Sequence, residues 1–376
     1  MKKKSLPLQS CCIRNFKAIR DSGVLKFGPL TVFIGNNGSG KSSAFEGLEA
    51  FKTMVIDGVD AAMAPWHGFE HAWNKAAEHR IVKSKAFTEA CANPLSIYAK
   101  GNTGGKAFRA KLEVTALDET CDELVANYVS AISPAKFIPH PDFLLRDFRV
   151  REPQLIELVT DWQFLSMTPK EMAAPRLKRR AGDRPALDRS GANIADYLQH
   201  IYDREPDAFE GILDAMRTVL PYAEDMRPRI TSGIEKRVYL ELAENGFRDK
   251  LPTWLFSTGT VRILALLAVL RNPQPPSILF VEEIENGLDP QTIHLLVEEI
   301  RFFVQSGLGQ VVLTTHSPYL MDLLPLASLV LVERGEDGEP VFSRPADSDS
   351  LAEWAKKFAP GKLYTMGSLA RGGAGK

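Results

Sequence analysis

Apolar and polar positions change rhythm along the chain, and each rhythm predicts a different element. Residues 8–14 and 23–34 read as short strands. The second closes on Leu30-Thr31-Val32-Phe33-Ile34, an apolar, partly β-branched run that stops at a glycine-rich loop. A helix is expected from Lys41 to about Met54, with mostly helical structure over 57–92. Alternation returns at 95–100, 108–115 and 124–132, the pattern of antiparallel strands. Pro134, Pro139 and Pro141 mark a loop, and 155–167 reads as a strand. Residues 168–191, rich in Pro, Arg and Lys, read as a surface loop. Helices are expected at 192–203 and 206–219, then a strand at 237–243 ahead of Asn245-Gly246. Beyond residue 257 helix and strand alternate, which implies parallel β-α units; the last strands, 328–333 and 341–344, flank a turn from Gly335 to Gly338. Neither internal repeats nor sustained heptads appear, so no long coiled coil is expected.

Composition narrows the class. The 376 residues are 44% hydrophobic and 25% charged, ordinary for a soluble globular chain. The length calls for two domains or one with a large insertion. A net charge of −1 excludes bulk electrostatics as a nucleic-acid signal, so any such contact needs a local patch. The four cysteines form no C-x-x-C pair; Cys11 and Cys12 are adjacent on a strand and are expected to face opposite sides. Gln9, Ser10 and Arg14 interrupt any secretory signal, and the most apolar stretch, 263–270, is too short to span a bilayer. The expectation is a cytoplasmic protein without a membrane partner.

The glycine-rich loop Gly35-Asn36-Asn37-Gly38-Ser39-Gly40-Lys41-Ser42 fits G-x-x-x-x-G-K-[ST] between a strand and a helix. Its glycines let backbone N–H groups approach phosphates, and the following helix N-terminus adds positive potential. Lys41 is positioned to reach the β- and γ-phosphates, Ser42 to hold Mg²⁺, and Ser43 to complete the cradle. A second apolar run, Ser277-Ile278-Leu279-Phe280-Val281, ends in Glu282-Glu283. Carboxylates at strand C-termini meet ligands in parallel sheets; Glu282 is assigned to the metal and Glu283 to activation of water. Asp289-Pro290 reads as an N-cap and first helical residue. His316, in Thr315-His316-Ser317-Pro318 at the end of the next strand, is placed to sense a γ-phosphate. Ser257 and Gly259, in Ser257-Thr258-Gly259-Thr260 ahead of an apolar helix at 261–270, read as an anion site.

In order, Lys41, Ser257/Gly259, Glu282/Glu283, Asp289 and His316 resemble the ABC-type ATPase heads of the RecF, SMC and OLD (overcoming-lysogenization-defect) group. The likeness is closest to bacterial predicted ATPases of the AAA family with RecF-like or OLD-like heads. The opening Ile13-Arg14-Asn15-Phe16-Lys17-Ala18-Ile19, the stretch Glu282 to Pro290, and Leu187-Asp188-Arg189-Ser190-Gly191-Ala192-Asn193-Ile194 carry it. The resemblance implies an α/β P-loop NTPase, an ABC-ATPase-like head with an antiparallel β subdomain and an inserted helical lobe. The expected organisation is a split ATPase core at 1–56 and 251–345, a β subdomain and helical lobe at 57–250, and a C-terminal helix and tail at 346–376. It further implies ATP and Mg²⁺ as cofactors, hydrolysis at a homodimeric ATP sandwich, and Asp289 with the signature residues Ser257 and Gly259 at the nucleotide. DNA repair and anti-phage defence are the implied settings, with an effector from a neighbouring gene as a further partner. Three features depart from the group's pattern. Glu282 replaces the usual Asp, the signature is S-T-G-T, and no Q-loop glutamine is placed, Gln154 and Gln163 being candidates. Only 60 residues follow His316, too few for a TOPRIM domain, so nuclease activity is not expected.

Other features are weaker. Arg176, Lys178, Arg179, Arg180, Arg184 and Arg189, opposed by Asp183 and Asp188, give 176–189 a local charge of +4, which reads first as a solvated loop and second as a contact surface for DNA. His67, His71 and His79 include an i, i+4 pair, a weak metal-site pattern. Two other readings stay open: an ATP-gated interaction module with little turnover, and a transporter's nucleotide-binding subunit.

Overall fold

The computed structural model describes residues 6–76, 93–103, 105–116, 121, 124–132, 138–139, 143–144, 150, 152–178, 186–354 and 357–369. The chain divides into two units, Met1–Trp162 with Leu326–Phe358 and Leu363–Lys376, and Gln163–Pro325 with Ala359–Lys362.

The first unit holds an antiparallel sheet in the order Ile19–Asp21, Ser10–Phe16, Leu95–Thr103, Lys106–Ala116, Leu124–Ile132, Ile138–Pro139. Leu25–Lys26 also pairs with Ser10–Phe16, and Phe143–Leu144 with Leu124–Ile132. The alternation seen in sequence becomes burial: Phe108, Ala110, Leu112 and Val114 point inward from one strand. Cys11 is buried and Cys12 half-exposed, as adjacent strand residues must be. Burial pushes the Cys11 thiol far up. The helix Lys41–Ile56 lies on this sheet at Gly47, where a Cβ would come within 2.9 Å of Ile13 Cδ1. The strand Leu30–Ile34 runs parallel to Leu329–Arg334, with Ile34 opposite Leu331, and Pro340–Ser343 adds antiparallel to the latter.

The segment 155–167, expected as one strand, is the helix Pro153–Thr160 followed by the strand Trp162–Leu165. Pro153 at the first helical turn and buried Leu155, Leu158 and Val159 at helical spacing explain the first half. In 57–92 only Val59–Met63 and Phe69–Ala72 are α-helical among the described residues, and 77–92 lies outside them. His67 follows a 3₁₀ turn at φ 62, ahead of Phe69–Ala72, so it forms no helical i, i+4 pair with His71; His79 lies outside the described residues.

The second unit holds parallel strands Ile278–Val281 and Gln310–Thr315, with Val281 opposite Leu313. The strand Trp162–Leu165 lies next to Ile278–Val281, and Phe164 stacks on Phe280 with ring centroids 4.2 Å apart. The helix Thr258–Leu270 is buried at every position from Thr260 on, as expected of a helix apolar all round. Pro290–Gln305 shows one apolar stripe, Ile293, Leu296, Val297 and Ile300. The helices Ile194–Arg204 and Pro206–Val219 fall where sequence periodicity puts them. A second antiparallel sheet joins Arg176–Leu177, Arg237–Glu244, Ala223–Ile230 and Leu251–Pro252. Within the expected loop 168–191, Pro169–Met172 is helical and Arg176–Leu177 a short strand, while 179–185 lies outside the described residues. The strand Ala223–Ile230 was masked in sequence by four charged residues and Pro228. Among the described residues it pairs with one neighbour only, so the proline's missing donor is tolerated. Among the described residues no helix is long and apolar enough to cross a membrane.

Phe280 is fully buried against Phe164. Phe280→Ala is expected to cost about 3–5 kcal/mol in equilibrium denaturant unfolding, through lost burial and a residual cavity.

Candidate nucleotide site

The phosphate loop of the first unit connects Leu30–Ile34 to the helix Lys41–Ile56. Two glycines are sterically required. At Gly35 a Cβ would sit 2.1 Å from the Val332 carbonyl oxygen, and at Gly40 2.6 Å from Pro340. Both have positive φ. Lys41 is only 5% exposed, and its ammonium donates to the Gly35 oxygen at 2.8 Å and the Asn36 oxygen at 2.9 Å. The loop is held from outside its motif as well. Arg334 Nε donates to the Gly38 oxygen at 2.9 Å, and the Tyr364 hydroxyl to Asn36 Oδ1 at 3.1 Å. No local pattern in the sequence points to Arg334 or Tyr364, which lie nearly 300 residues or more from the loop. Ser39 Oγ is buried with no hydrogen-bond partner among the described residues, a donor suited to a phosphate oxygen. Asn36, Asn37, Gly38 and Ser42 are exposed, and Ser43 is buried.

The second unit gathers the other predicted residues around Ile278–Val281 and Gln310–Thr315. Register sets Glu282 and Glu283 beside the end of the neighbouring strand, where Glu283 N donates to Thr314 Oγ1 at 2.9 Å. Glu283 has φ 45, a left-handed conformation that a non-glycine residue holds only when its surroundings impose it. Its side chain is exposed and accepts from Asn286 Nδ2. Glu282 is half-buried, and Arg189 Nη2 lies 3.5 Å from its Oε1.

His316 is half-buried, and its backbone is fixed by a residue the sequence did not single out. Glu285 Oε1 accepts from the backbone N–H of His316 at 2.6 Å and of Ser317 at 3.1 Å. Glu285 Oε2 is buried with no hydrogen-bond partner among the described residues. The only available signal was its place in the turn after the paired glutamates.

Asp289 caps its helix, accepting from Gln291 N at 2.9 Å and Thr292 N at 3.0 Å. The Thr292 hydroxyl, followed by these backbone groups, holds the Asp289 carboxyl below its usual range. Ser257 likewise caps Thr258–Leu270, its Oγ accepting from Thr260 N at 3.0 Å. A Cβ on Gly259 would lie 2.4 Å from the Gly287 oxygen, so this glycine allows the signature loop to touch the turn after Glu283. Arg262, on the same helix, donates to the Asn286 oxygen at 2.9 Å and the Met167 oxygen at 3.1 Å. Burial pushes its guanidinium below the usual range, while the charges of Glu283 and Glu285 pull the other way. Of the Q-loop candidates, Gln163 donates to the Leu187 oxygen at 2.7 Å and Gln154 is exposed in the first turn of Pro153–Thr160. Among the described residues no three His, Cys, Asp or Glu side chains form a metal cluster.

The family described as AAA domain, putative AbiEii toxin, Type IV TA system, matches residues 103–322, more than half of the chain. The chain belongs to this AAA-domain family. Its fold is similar to an Smc head bound to the C-winged helix domain of ScpA, at TM-score 0.53 and 14% identity over 89% of this chain and 96% of that one. An SMC head domain from Thermotoga maritima aligns at TM-score 0.46 and 15% identity over 90% of this chain and 98% of that chain. An Smc head with an extended coiled coil, bound to the C-terminal domain of ScpA from Pyrococcus furiosus, aligns at 0.48 and 12% over 93% and 99%. No curated protein matches the chain by sequence. The AAA-domain chain thus has the fold of an ABC/SMC-type ATPase head, the α/β P-loop class its motifs point to.

Removing the Glu285 carboxylate takes an acceptor from the His316 amide and one of two from the Ser317 amide, which keeps Thr315 Oγ1 at 3.0 Å. Glu285→Ala is expected to lower stability by about 1–3 kcal/mol and to speed hydrogen exchange at the His316 and Ser317 amides, with Glu285→Gln milder because it keeps one acceptor oxygen.

Proposed function

We propose that this AAA-domain chain is an ATPase that binds Mg²⁺-ATP on its phosphate loop and hydrolyses it with Glu283 as general base. The observation that carries the reading is the phosphate loop itself: a buried lysine ammonium, glycines that exclude any Cβ, and the buried Ser39 hydroxyl without a partner. These groups suit a triphosphate's charge and oxygen count. The exposed Ser42 hydroxyl and the Glu282 carboxylate are oxygen donors of the kind Mg²⁺ takes, alongside phosphate oxygens and water. Bound there, the cation neutralises phosphate charge. The protein's own work is to bind and to move a proton. Lys41 holds the β- and γ-phosphates. Glu283, exposed and held at a strained φ, takes a proton from the attacking water at its carboxylate. His316 reads the γ-phosphate from the end of Gln310–Thr315.

A homodimer that closes over ATP, with Ser257 and Gly259 reaching the partner's nucleotide, is the assembly we assign. In that state Ser257 would both cap its helix and face the anion. Hydrolysis would reset the dimer and so act on DNA or on an effector protein, in the cytoplasm. The family's description as a putative toxin supports defence over repair.

Lys41→Ala is expected to abolish ATP binding in an equilibrium titration with a fluorescent analogue; retained binding would remove the phosphate loop from the site. Glu283→Gln should bind ATP like the wild type, lower turnover by about 100- to 10,000-fold, and trap an ATP-dependent dimer visible by light scattering. Wild-type turnover in that variant would take Glu283 out of the role of base.

A further inference from the structure

The segment Leu187 to Ile194 has no part in the scheme above, yet it delivers a cation to the first of the paired glutamates. Arg189 Nη2 lies 3.5 Å from Glu282 Oε1, with side-chain exposures of 41% and 18%. Both partners are set by one piece of backbone. Arg189 O accepts from Ser166 N at 2.8 Å and Ser190 O from Thr168 N at 2.9 Å, which knits the segment to the chain leaving the strand Trp162–Leu165. That strand's last residue also places the glutamate, since Leu165 O accepts from Glu282 N at 2.9 Å. The loop is closed from within. Asn193, 4% exposed, accepts from Asp188 N at 2.7 Å and donates to Ala186 O at 2.8 Å. Gly191 has φ +72, and a Cβ there would meet Met172 at 3.1 Å. So much local order behind one exposed arginine argues for a placed charge rather than a chance surface pair.

We propose that Arg189 is a built-in counter-ion of Glu282 that competes with the divalent cation for this carboxylate. This deepens the ATPase reading and rests on Glu282 being the metal carboxylate. A guanidinium beside a carboxylate offsets its negative charge, and so weakens the pull that the carboxylate exerts on a metal ion. Arg189 therefore raises the Mg²⁺ concentration needed to load nucleotide. Arg189 is thus a positioning residue whose effect runs through Glu282.

The test is the Mg²⁺ dependence of equilibrium nucleotide binding, read with a fluorescent non-hydrolysable ATP analogue on the full chain. Arg189→Ala is expected to lower the half-saturating Mg²⁺ by about fivefold, the order expected for one unit charge a few ångströms away and well screened by water. Arg189→Lys should stay near wild type, and thermal melts check that each variant folds. In a Glu282→Gln background, Arg189→Ala should no longer shift the midpoint, because the cycle isolates the pair. An unchanged or raised midpoint for Arg189→Ala, or a shift that persists without the Glu282 charge, would overturn the proposal while leaving wild-type nucleotide binding intact. A wild-type chain that takes up no nucleotide at any Mg²⁺ concentration would instead overturn the ATPase reading, and this inference with it.

Discussion

An ammonium ion buried to 5% exposure has to be met by oxygen, and at Lys41 the oxygens come from the loop that precedes it. This requirement organises the first unit. For the Gly35 and Asn36 carbonyls to turn inward, the backbone takes conformations open to glycine and runs so close to the Val332 oxygen that a Cβ on Gly35 would lie 2.1 Å from it. The strand Leu329–Arg334 therefore forms one wall of the loop as well as a partner for Leu30–Ile34. Its last residue, Arg334, ties down the loop tip at Gly38. The helix that follows is fixed in turn by Gly47, which lets it sit directly on Ile13 and Phe16 of the antiparallel sheet.

The second unit meets a similar demand with the opposite charge. Glutamates 282, 283 and 285 crowd one turn, and each has a donor: Arg189, Asn286, and the His316 and Ser317 amides respectively. Arg262, from the buried helix Thr258–Leu270, fastens the same turn through the Asn286 carbonyl, and Gly259 brings the signature loop against Gly287. Close packing at Gly259 and hydrogen bonds from Arg262 and to Glu285 thus tie the signature loop, its helix and the histidine turn to the turn that follows the paired glutamates.

Local structure set by residues adjacent in the chain was legible beforehand. The loop between Leu30–Ile34 and Lys41–Ile56, the strand ahead of Glu282-Glu283 and the Asp289-Pro290 cap are contiguous patterns, and the three long strands between Leu95 and Ile132 announce themselves by alternation. Contributions that depend on folding were not legible. Arg334, Tyr364 and Glu285 act across distances in sequence that no local pattern encodes, and the pairing of Arg189 with Glu282 joins residues 93 apart. Ser257 shows how one position can satisfy two readings, since its hydroxyl caps a helix wherever it is also asked to meet an anion. Two elements were hidden by composition. Charged side chains and Pro228 disguised the strand Ala223–Ile230, and an apolar run concealed the break between Pro153–Thr160 and Trp162–Leu165.

The central claim is that the chain turns ATP over rather than merely holding it. Incubating the purified chain with Mg²⁺ and γ-labelled ATP, and following labelled phosphate past one equivalent of protein, tests this most directly. Release that continues through many equivalents, with ADP as the matching product, is the expected result. ATP bound tightly and recovered intact would contradict it.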